Sequence, residues 1–545
     1  MAQDEWEAAA GITVRGAADV HGAVEVRRAL RRDGVPRKLL EKDAGLWGDE
    51  ARGEAEIRLG WVDTFRRGRA LLPQLAELRA ELGDLDHVVL AGMGGSSLAP
   101  EVIGRTLGKG LTVLDTTDPH QVRSALADRL DRTVVVVSSK SGSTVETDSH
   151  RRIYRQAFLD AGLDEAEVGR RFVVVTDPGS PLAGTAAEMG AYVVLADPDV
   201  GGRYSALTAF GVVPAALLGV DVAELLDQAE ALYEALGADE DNPALALGTA
   251  LGAAATADGR DKLALVEDGT GIVGLGDWIE QLVAESTGKQ GKGILPVVVE
   301  SPTAPGTSGR DVLTVTVGGA LPPGAVPGGG VVPHVSVNGP LGAHFLLWEY
   351  ATAIAGRILG INPFDQPNVA ESKENTTRIL ESGTPAETPS FVEGAVEVYG
   401  SSASTLDGAL RALVDGVDPA GYLAVMAYLD RIGDVATGAL RAHLAAATAR
   451  PVTLGWGPRF LHSTGQYHKG GPQTGSFLQI TADVVDDLAV PGQPYTLGEL
   501  QAAQAAGDRE ALAGRGRPLL RLHLTDRPAG ITALLAAAQS LGTRA

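Results

Sequence analysis

Two short turns hold the residue types that grip an anion. The first, Gly92-Met-Gly-Gly-Ser-Ser97, follows an apolar run and precedes a helix-length segment. Glycines there let backbone amides come close to a charged group, and a helix N-terminus adds partial positive charge. Its sixth position is Ser97 where a dinucleotide fingerprint needs glycine. The second, Ser138-Ser-Lys-Ser-Gly-Ser-Thr-Val-Glu-Thr147, clusters hydroxyls, Lys140 and Gly142 at another helix start. A plain helix cap, with Ser143 or Thr144 at the N-cap and Glu146 in the first turn, needs one hydroxyl and not several. The composition therefore favours phosphate, yet no Gly-x4-Gly-Lys-Ser/Thr frame occurs, which disfavours a P-loop nucleotidase. A third candidate is Glu285, closing a segment in which Leu275, Trp278, Ile279, Leu282 and Val283 form one helical stripe. A carboxylate at a helix C-terminal end works against the dipole, so a functional reason is the better reading.

The elements that position these residues follow from composition and patterning. With 545 residues the chain is too long for one ordinary domain. Its 46 basic against 69 acidic side chains give a net charge of −23, which argues against nucleic acid or anionic lipid as the main partner. Cysteine is absent, excluding disulfides and thiolate chemistry. The first 20 residues lack a signal-peptide core and no apolar stretch reaches a membrane span of ~18 residues, so a cytoplasmic protein is expected.

Residues 1–80 read as mostly helical, with Trp6, Trp47, Trp61 and Phe65 as anchors. Strands over 87–90, 111–114, 133–137 and 172–175, alternating with helices over 98–107 and 120–130, predict a parallel sheet. A long helical stretch, 206–236, closes this first unit. A second unit begins near Asn242, with strands over 263–266, 294–299, 312–317 and 331–337 and a Gly/Pro-rich surface loop over 320–331. Residues 375–450 are Ala-rich and read as helical. Strands over 451–455, 477–480 and 519–524, with a helix from Ile531, would complete the second sheet. The expected fold class is α/β, with two doubly wound parallel-sheet domains. The boundaries are an N-terminal helical segment 1–80, a first domain 81–240 and a second domain 241–545. The second domain carries an insertion at 375–450 and a terminal block at 451–545.

The two turns together resemble the sugar isomerase (SIS) fold, and three further segments narrow the resemblance to the glucose-6-phosphate isomerase family. Asp199-Val-Gly-Gly-Arg-Tyr-Ser205 is similar to its Gly-Gly-Arg-(Tyr/Phe)-Ser segment. Ala284-Glu-Ser-Thr-Gly-Lys289 is similar to its Glu-Ser-x-Gly-Lys segment. Asn362-Pro-Phe-Asp-Gln-Pro-Asn-Val-Ala-Glu-Ser-Lys373 is similar to its Asn-x-Phe-Asp-Gln…Lys segment. The similarity covers roughly residues 85–375. The family's Leu-His-Ser-x-Gly-Gln-Tyr segment follows the Glu-Ser motif closely in compact bacterial members. Here it stands at Leu461–Tyr467, beyond Lys373, as in transaldolase-fused relatives. The expectation is that a block of the second domain has moved to the C-terminus with the three-dimensional site retained.

The resemblance implies a metal-free, cofactor-free isomerase that moves a proton between C2 and C1 of a sugar phosphate through a cis-enediol. It makes Glu285 the base and Arg203, beside Gly202, the cation for the enediolate oxygens. It assigns ring opening to His462, assisted by Lys373. In the family that histidine comes from the neighbouring subunit, implying a homodimer. Ser139, Lys140, Ser141 and Thr144 would hold the phosphate, with Gly95 and Ser96 near the sugar. Gln366 and Lys373, seven apart, would share a helix face if helical, Pro367 making the first turn a helix start. The bland readings are a salt bridge from Arg203 to Asp197 or Asp199, a solvated Lys373, and His462 on an unrelated loop. His468 is the substitute if the register differs, and His344 reads as a packed histidine. Activity toward mannose 6-phosphate and a non-catalytic sugar-phosphate sensor are the alternatives. No stretch of ~250 residues is left for a transaldolase-like (β/α)8 barrel.

Overall fold

Valine-rich runs such as Val134–Val137 and Val173–Val175 have no polar face to give to water, and they are fully buried in the computed structural model. The structure describes residues 6–321, 334–383 and 387–542. Its first sheet runs in the order Leu111–Leu114, His87–Gly92, Thr133–Ser138, Phe172–Thr176, Tyr192–Leu195, all parallel. The last strand was not expected. The stretch 206–236 is two helices, Ala209–Leu217 and Val222–Tyr233, parted at Gly219, whose φ of +75° a side chain would resist.

The second sheet takes the expected strands Lys262–Glu267, Leu295–Val298, Val312–Gly318 and His334–Asn338. The remainder of the expected loop and strand before His334, residues 322–333, lies outside the described residues. The side chain of Trp6 does too. An antiparallel hairpin, Trp6–Ala9 with Ile12–Arg15, adds to this sheet where helix was expected. Its two-residue turn, Ala10-Gly11, has positive φ at both positions, the geometry that matches strand twist. The rest of the N-terminal segment is helical as read, from Ala23–Arg32 to Leu72–Glu81.

The late strands do not complete the second sheet. Val452–Trp456, Gly475–Ala482 and Leu519–Leu524 join Tyr422–Ala427 and the hairpin Phe391–Glu393/Val396–Tyr399 in a third six-stranded sheet. The stretch 375–450 is therefore only partly helical. This sheet has its own core, in which Leu410, Leu423, Leu478, Leu522 and Leu534 pack together. An inter-sheet core against the second sheet joins Met426, Tyr428 and Phe477 to Val266, Leu295 and Val297. In all three sheets the parallel strands lie in the spatial order second, first, third, fourth. The first sheet adds a fifth parallel strand, and the other two add an antiparallel hairpin. Ligands bind such sheets where strand order reverses, outside the carboxyl ends of the first and third strands. Among the described residues no helix is long and apolar enough to cross a membrane.

The three units meet around Arg459. Its Nη1 donates to Glu101 Oε2 (2.7 Å) and Asp115 Oδ2 (2.5 Å) of the first unit. Arg431 Nη1 donates to the other oxygen of Glu101 (2.8 Å). Burial would push the Glu101 carboxyl up, but these guanidiniums overcome it and hold it down at about 2. Beside this network lies a cavity of about 640 Å³ whose walls include Asp277, Glu280, Trp456 and Ser463. Desolvation, then the neighbouring Asp277 charge, push Glu280 up to about 8.

Two outcomes follow from this junction. Arg459→Met removes the guanidinium that two buried carboxylates share and should lower unfolding stability in urea by about 3 to 5 kcal/mol; a loss under about 1 kcal/mol would contradict the assignment. Because folding raises the affinity of Glu280 for its proton, stability falls as pH rises from the unfolded carboxyl value through about 8. Glu280→Gln lacks that fall, so its melting temperature should gain on the parent between about pH 5 and about pH 9, and a constant gap would exclude the shift.

Candidate active site

The first and third strands of the first sheet end at Gly92 and Ser138, so the two anion-type turns flank the point where strand order reverses. A cavity of about 410 Å³ opens there. It is lined by Gly95, Ser96, Ser139, Lys140, Ser141, Thr144, Gly202, Arg203, Glu285, Gln366, Lys373 and His462, which are all of the site residues read from the sequence.

Close backbone approach explains the glycines. A Cβ on Gly95 would lie 1.9 Å from the carbonyl oxygen of Gly202, and one on Gly94 would meet Gln281 and His462. The second turn does not spend its hydroxyls on capping. Helix Val145–Asp160 starts after Thr144, which makes no side-chain cap bond. Instead Thr144 Oγ1 pairs with Ser139 Oγ (2.9 Å), and Ser141 Oγ with Ser143 Oγ (3.0 Å). Lys140 Nζ donates to Asp177 Oδ2 (2.6 Å) and to the carbonyls of Asp197 and Pro198. The result is a hydroxyl cradle at a helix N-terminus with one lysine at its rim.

Arg203 is buried and fully engaged. Nε donates to Ser286 Oγ (2.8 Å), Nη1 to Gln366 Oε1 (2.9 Å), and Nη2 to the carbonyls of Pro363 (2.8 Å) and Asp365 (3.0 Å). Nη1 also lies 3.3 Å from Glu285 Oε1. Its alternative partners, Asp197 and Asp199, bind Arg67 instead. Aromatic packing below fixes this floor: Trp61 meets Tyr204, Tyr350 and Phe364. Gln366 precedes the helix Val369–Ser382 that carries Lys373, so the two are not on one helical face; the chain turn before Val369 brings both to the cavity.

His462 ends the short helix Arg459–His462 after the strand Val452–Trp456. Its Nε2 lies 3.3 Å from Glu146 Oε1. One chain thus brings His462 and Glu285 to the same cavity. His468, the substitute named from the sequence, does not line this cavity. Its ring is buried between Tyr422 and Phe477, and that burial holds it well below the usual histidine range. His344 is packed as read, its Nε2 2.9 Å from the carbonyl of Gly318.

Three residues escaped the sequence reading. Gln281 Nε2 donates to Glu285 Oε2 (3.1 Å) and to the His462 carbonyl (2.8 Å). Its position one helical turn before Glu285 was the available signal. Glu146 was read as a first-turn residue but is buried against His462. Burial favours its neutral form, yet the His462 hydrogen bond and charge hold the carboxyl below its usual value. Gln504, from the third unit, donates to Glu146 Oε1 (2.7 Å).

A model of the phosphoglucose isomerase family matches residues 79–309. A probable glucose-6-phosphate isomerase of Haloarcula marismortui is 35% identical over 229 residues, 40% of this chain and 50% of that protein. The chain therefore spans only half the length of that relative. A glucose-6-phosphate isomerase of Rubrobacter xylanophilus is 30% identical over 416 residues, 62% of this chain and 96% of that protein. The crystal structure of a glucose-6-phosphate isomerase from Chlamydia trachomatis superposes with a TM-score of 0.54 at 19% identity, covering 70% of this chain and 90% of that one, and shares the fold. With a relative matched along nearly its whole length, this chain belongs to the phosphoglucose isomerase family.

Proposed function

We propose that the protein interconverts glucose 6-phosphate and fructose 6-phosphate through a cis-enediolate. The observation that carries this reading is the convergence, in one cavity, of a hydroxyl cradle, a carboxylate, an arginine and a histidine from segments far apart in the chain. Ser139, Ser141 and Thr144, with the amides of their turn and Lys140, take the phosphate dianion. Gly95 and Ser96 border the sugar, and Gly202 and Gln366 complete the wall.

The reaction begins with a closed ring. The His462 imidazole passes a proton to the ring oxygen as the C1–O5 bond breaks, and the C1 hydroxyl gives its own proton back through Lys373, so the pair ends in the charge state in which it began. The Glu285 carboxylate then takes the proton from C2 and returns it to C1. Negative charge that develops on the enediolate oxygens lies beside Arg203, which its four hydrogen-bond partners hold rigid. Because those partners already fix the guanidinium, little reorganisation accompanies the charge as it forms.

A homodimer in the cytoplasm, where a sugar phosphate dianion is retained, belongs to the same reading. In this chain the dimer would join complete sites without having to create them. Displacement of the histidine segment to the C-terminus fits that arrangement, since a third sheet unit carries it back to the first.

Glu285→Gln should lower kcat by at least about a hundredfold while leaving the affinity for an unreactive substrate analogue within about threefold. Turnover at the parent rate would remove Glu285 as the base, and a coupled assay with mannose 6-phosphate fixes the aldose range. Specific activity should also stay constant on dilution to concentrations at which sedimentation finds single chains. A fall to inactivity that tracks dissociation would mean that the partner completes the site after all.

A further inference from the structure

We infer that Gln504 is a positioning residue for ring opening, acting through Glu146 on His462; the inference rests on the isomerase reading above. Four side chains form one buried chain of hydrogen bonds. Thr117 Oγ1 donates to Gln504 Oε1 (2.8 Å), Gln504 Nε2 donates to Glu146 Oε1 (2.7 Å), and the same oxygen lies 3.3 Å from His462 Nε2. Thr117, Gln504 and Glu146 are 0%, 3% and 4% exposed, so these bonds are shielded from bulk solvent.

The chain has a direction. A side-chain amide can present either end to a carboxylate, and only the NH2 end is attractive. The Thr117 hydroxyl occupies the amide oxygen and thereby turns Nε2 toward Glu146. Glu146 is then held as an anion in one orientation, ready to accept from His462 Nε2. With Nε2–H engaged by Glu146, Nδ1 is the imidazole nitrogen left for the sugar, and its N–H is the proton passed to the ring oxygen. Without Gln504 the buried carboxylate would lose its side-chain amide donor and compete with His462 for the shared proton.

The residues come from three places. Thr117 follows the strand Leu111–Leu114, Glu146 lies in the first turn of the helix Val145–Asp160, and Gln504 lies in the helix Leu497–Ala513 of the third unit. The third unit thus both delivers the imidazole and locks the carboxylate that orients it. Gln504 does not line the 410 Å³ cavity; it borders an adjoining cavity of about 270 Å³, reached past His462 and Lys373. That position separates it from residues that touch the sugar.

The test uses the full chain with glucose 6-phosphate carrying deuterium or hydrogen at C2. Gln504→Met should lower kcat by about tenfold and leave KM within about twofold, because phosphate and sugar contacts are intact. Ring opening then limits turnover. The primary isotope effect on kcat should shrink toward unity, and exchange between the sugar's anomers, followed by exchange NMR, should slow as far as kcat does. Thr117→Val, which keeps the amide but frees it to flip, should change the same three readouts in the same direction by about threefold. It serves if the methionine variant fails to fold. Unchanged kcat in a folded Gln504→Met, or a lowered kcat with the isotope effect undiminished, would overturn the inference. Failure of the parent protein to interconvert the two sugar phosphates would overturn the functional reading instead.

Discussion

A buried ion-pair network centred on Arg459 is the constraint on which the site depends. The guanidinium stands three residues ahead of His462 and is held by Glu101 and Asp115, which belong to the first unit. Taking these charges out of water is expensive, and only their mutual pairing offsets it. The network therefore tolerates one arrangement of the third unit against the first. In that arrangement the short helix Arg459–His462 points its last residue at Glu146. A hydrophobic contact alone could slide; a set of paired buried charges fixes register as well as proximity.

The remaining geometry follows from how close backbones come. Gly95 touches the carbonyl of Gly202, and a Cβ on Gly288 would fall 2.5 Å from the Cα of Tyr467. These contacts draw the arginine turn against the first anion-type turn and the histidine segment against the end of the helix Leu275–Thr287. Arg203 then reaches across to Pro363 and Asp365, so the floor of the cavity ties together segments from the first and second units. Helix Leu275–Thr287 supplies Glu285 and Gln281 from one face and a buried stripe from the other. Its apolar face fixes the rotation of the helix about its axis, and with it the direction of the carboxylate.

Much of this was legible in the residues. The doubly buried valine strands announced a parallel sheet, and the turns after two of them carried the glycine and hydroxyl content of an anion cradle. Glu146 was hidden because a carboxylate in a first helical turn is the ordinary complement to the dipole. Gln504 was hidden because nothing local marks a buried glutamine in an alanine-rich helix. The third sheet was hidden for a related reason. Tyr422–Ala427 mixes two alanines, a leucine and a methionine with Tyr422 and Val425, so its intrinsic preference does not separate strand from helix, and pairing with Gly475–Ala482 and Val452–Trp456 decides the matter.

By itself the amino-acid sequence picked out the side chains that line the cavity, because proton transfer and phosphate binding require particular groups at particular turns. Tertiary structure alone decided where the late strands pair and that His462 and Glu285 converge on one cavity. Strand partners and buried charges are chosen by long-range packing, and local patterning carries no record of which distant segment will satisfy them.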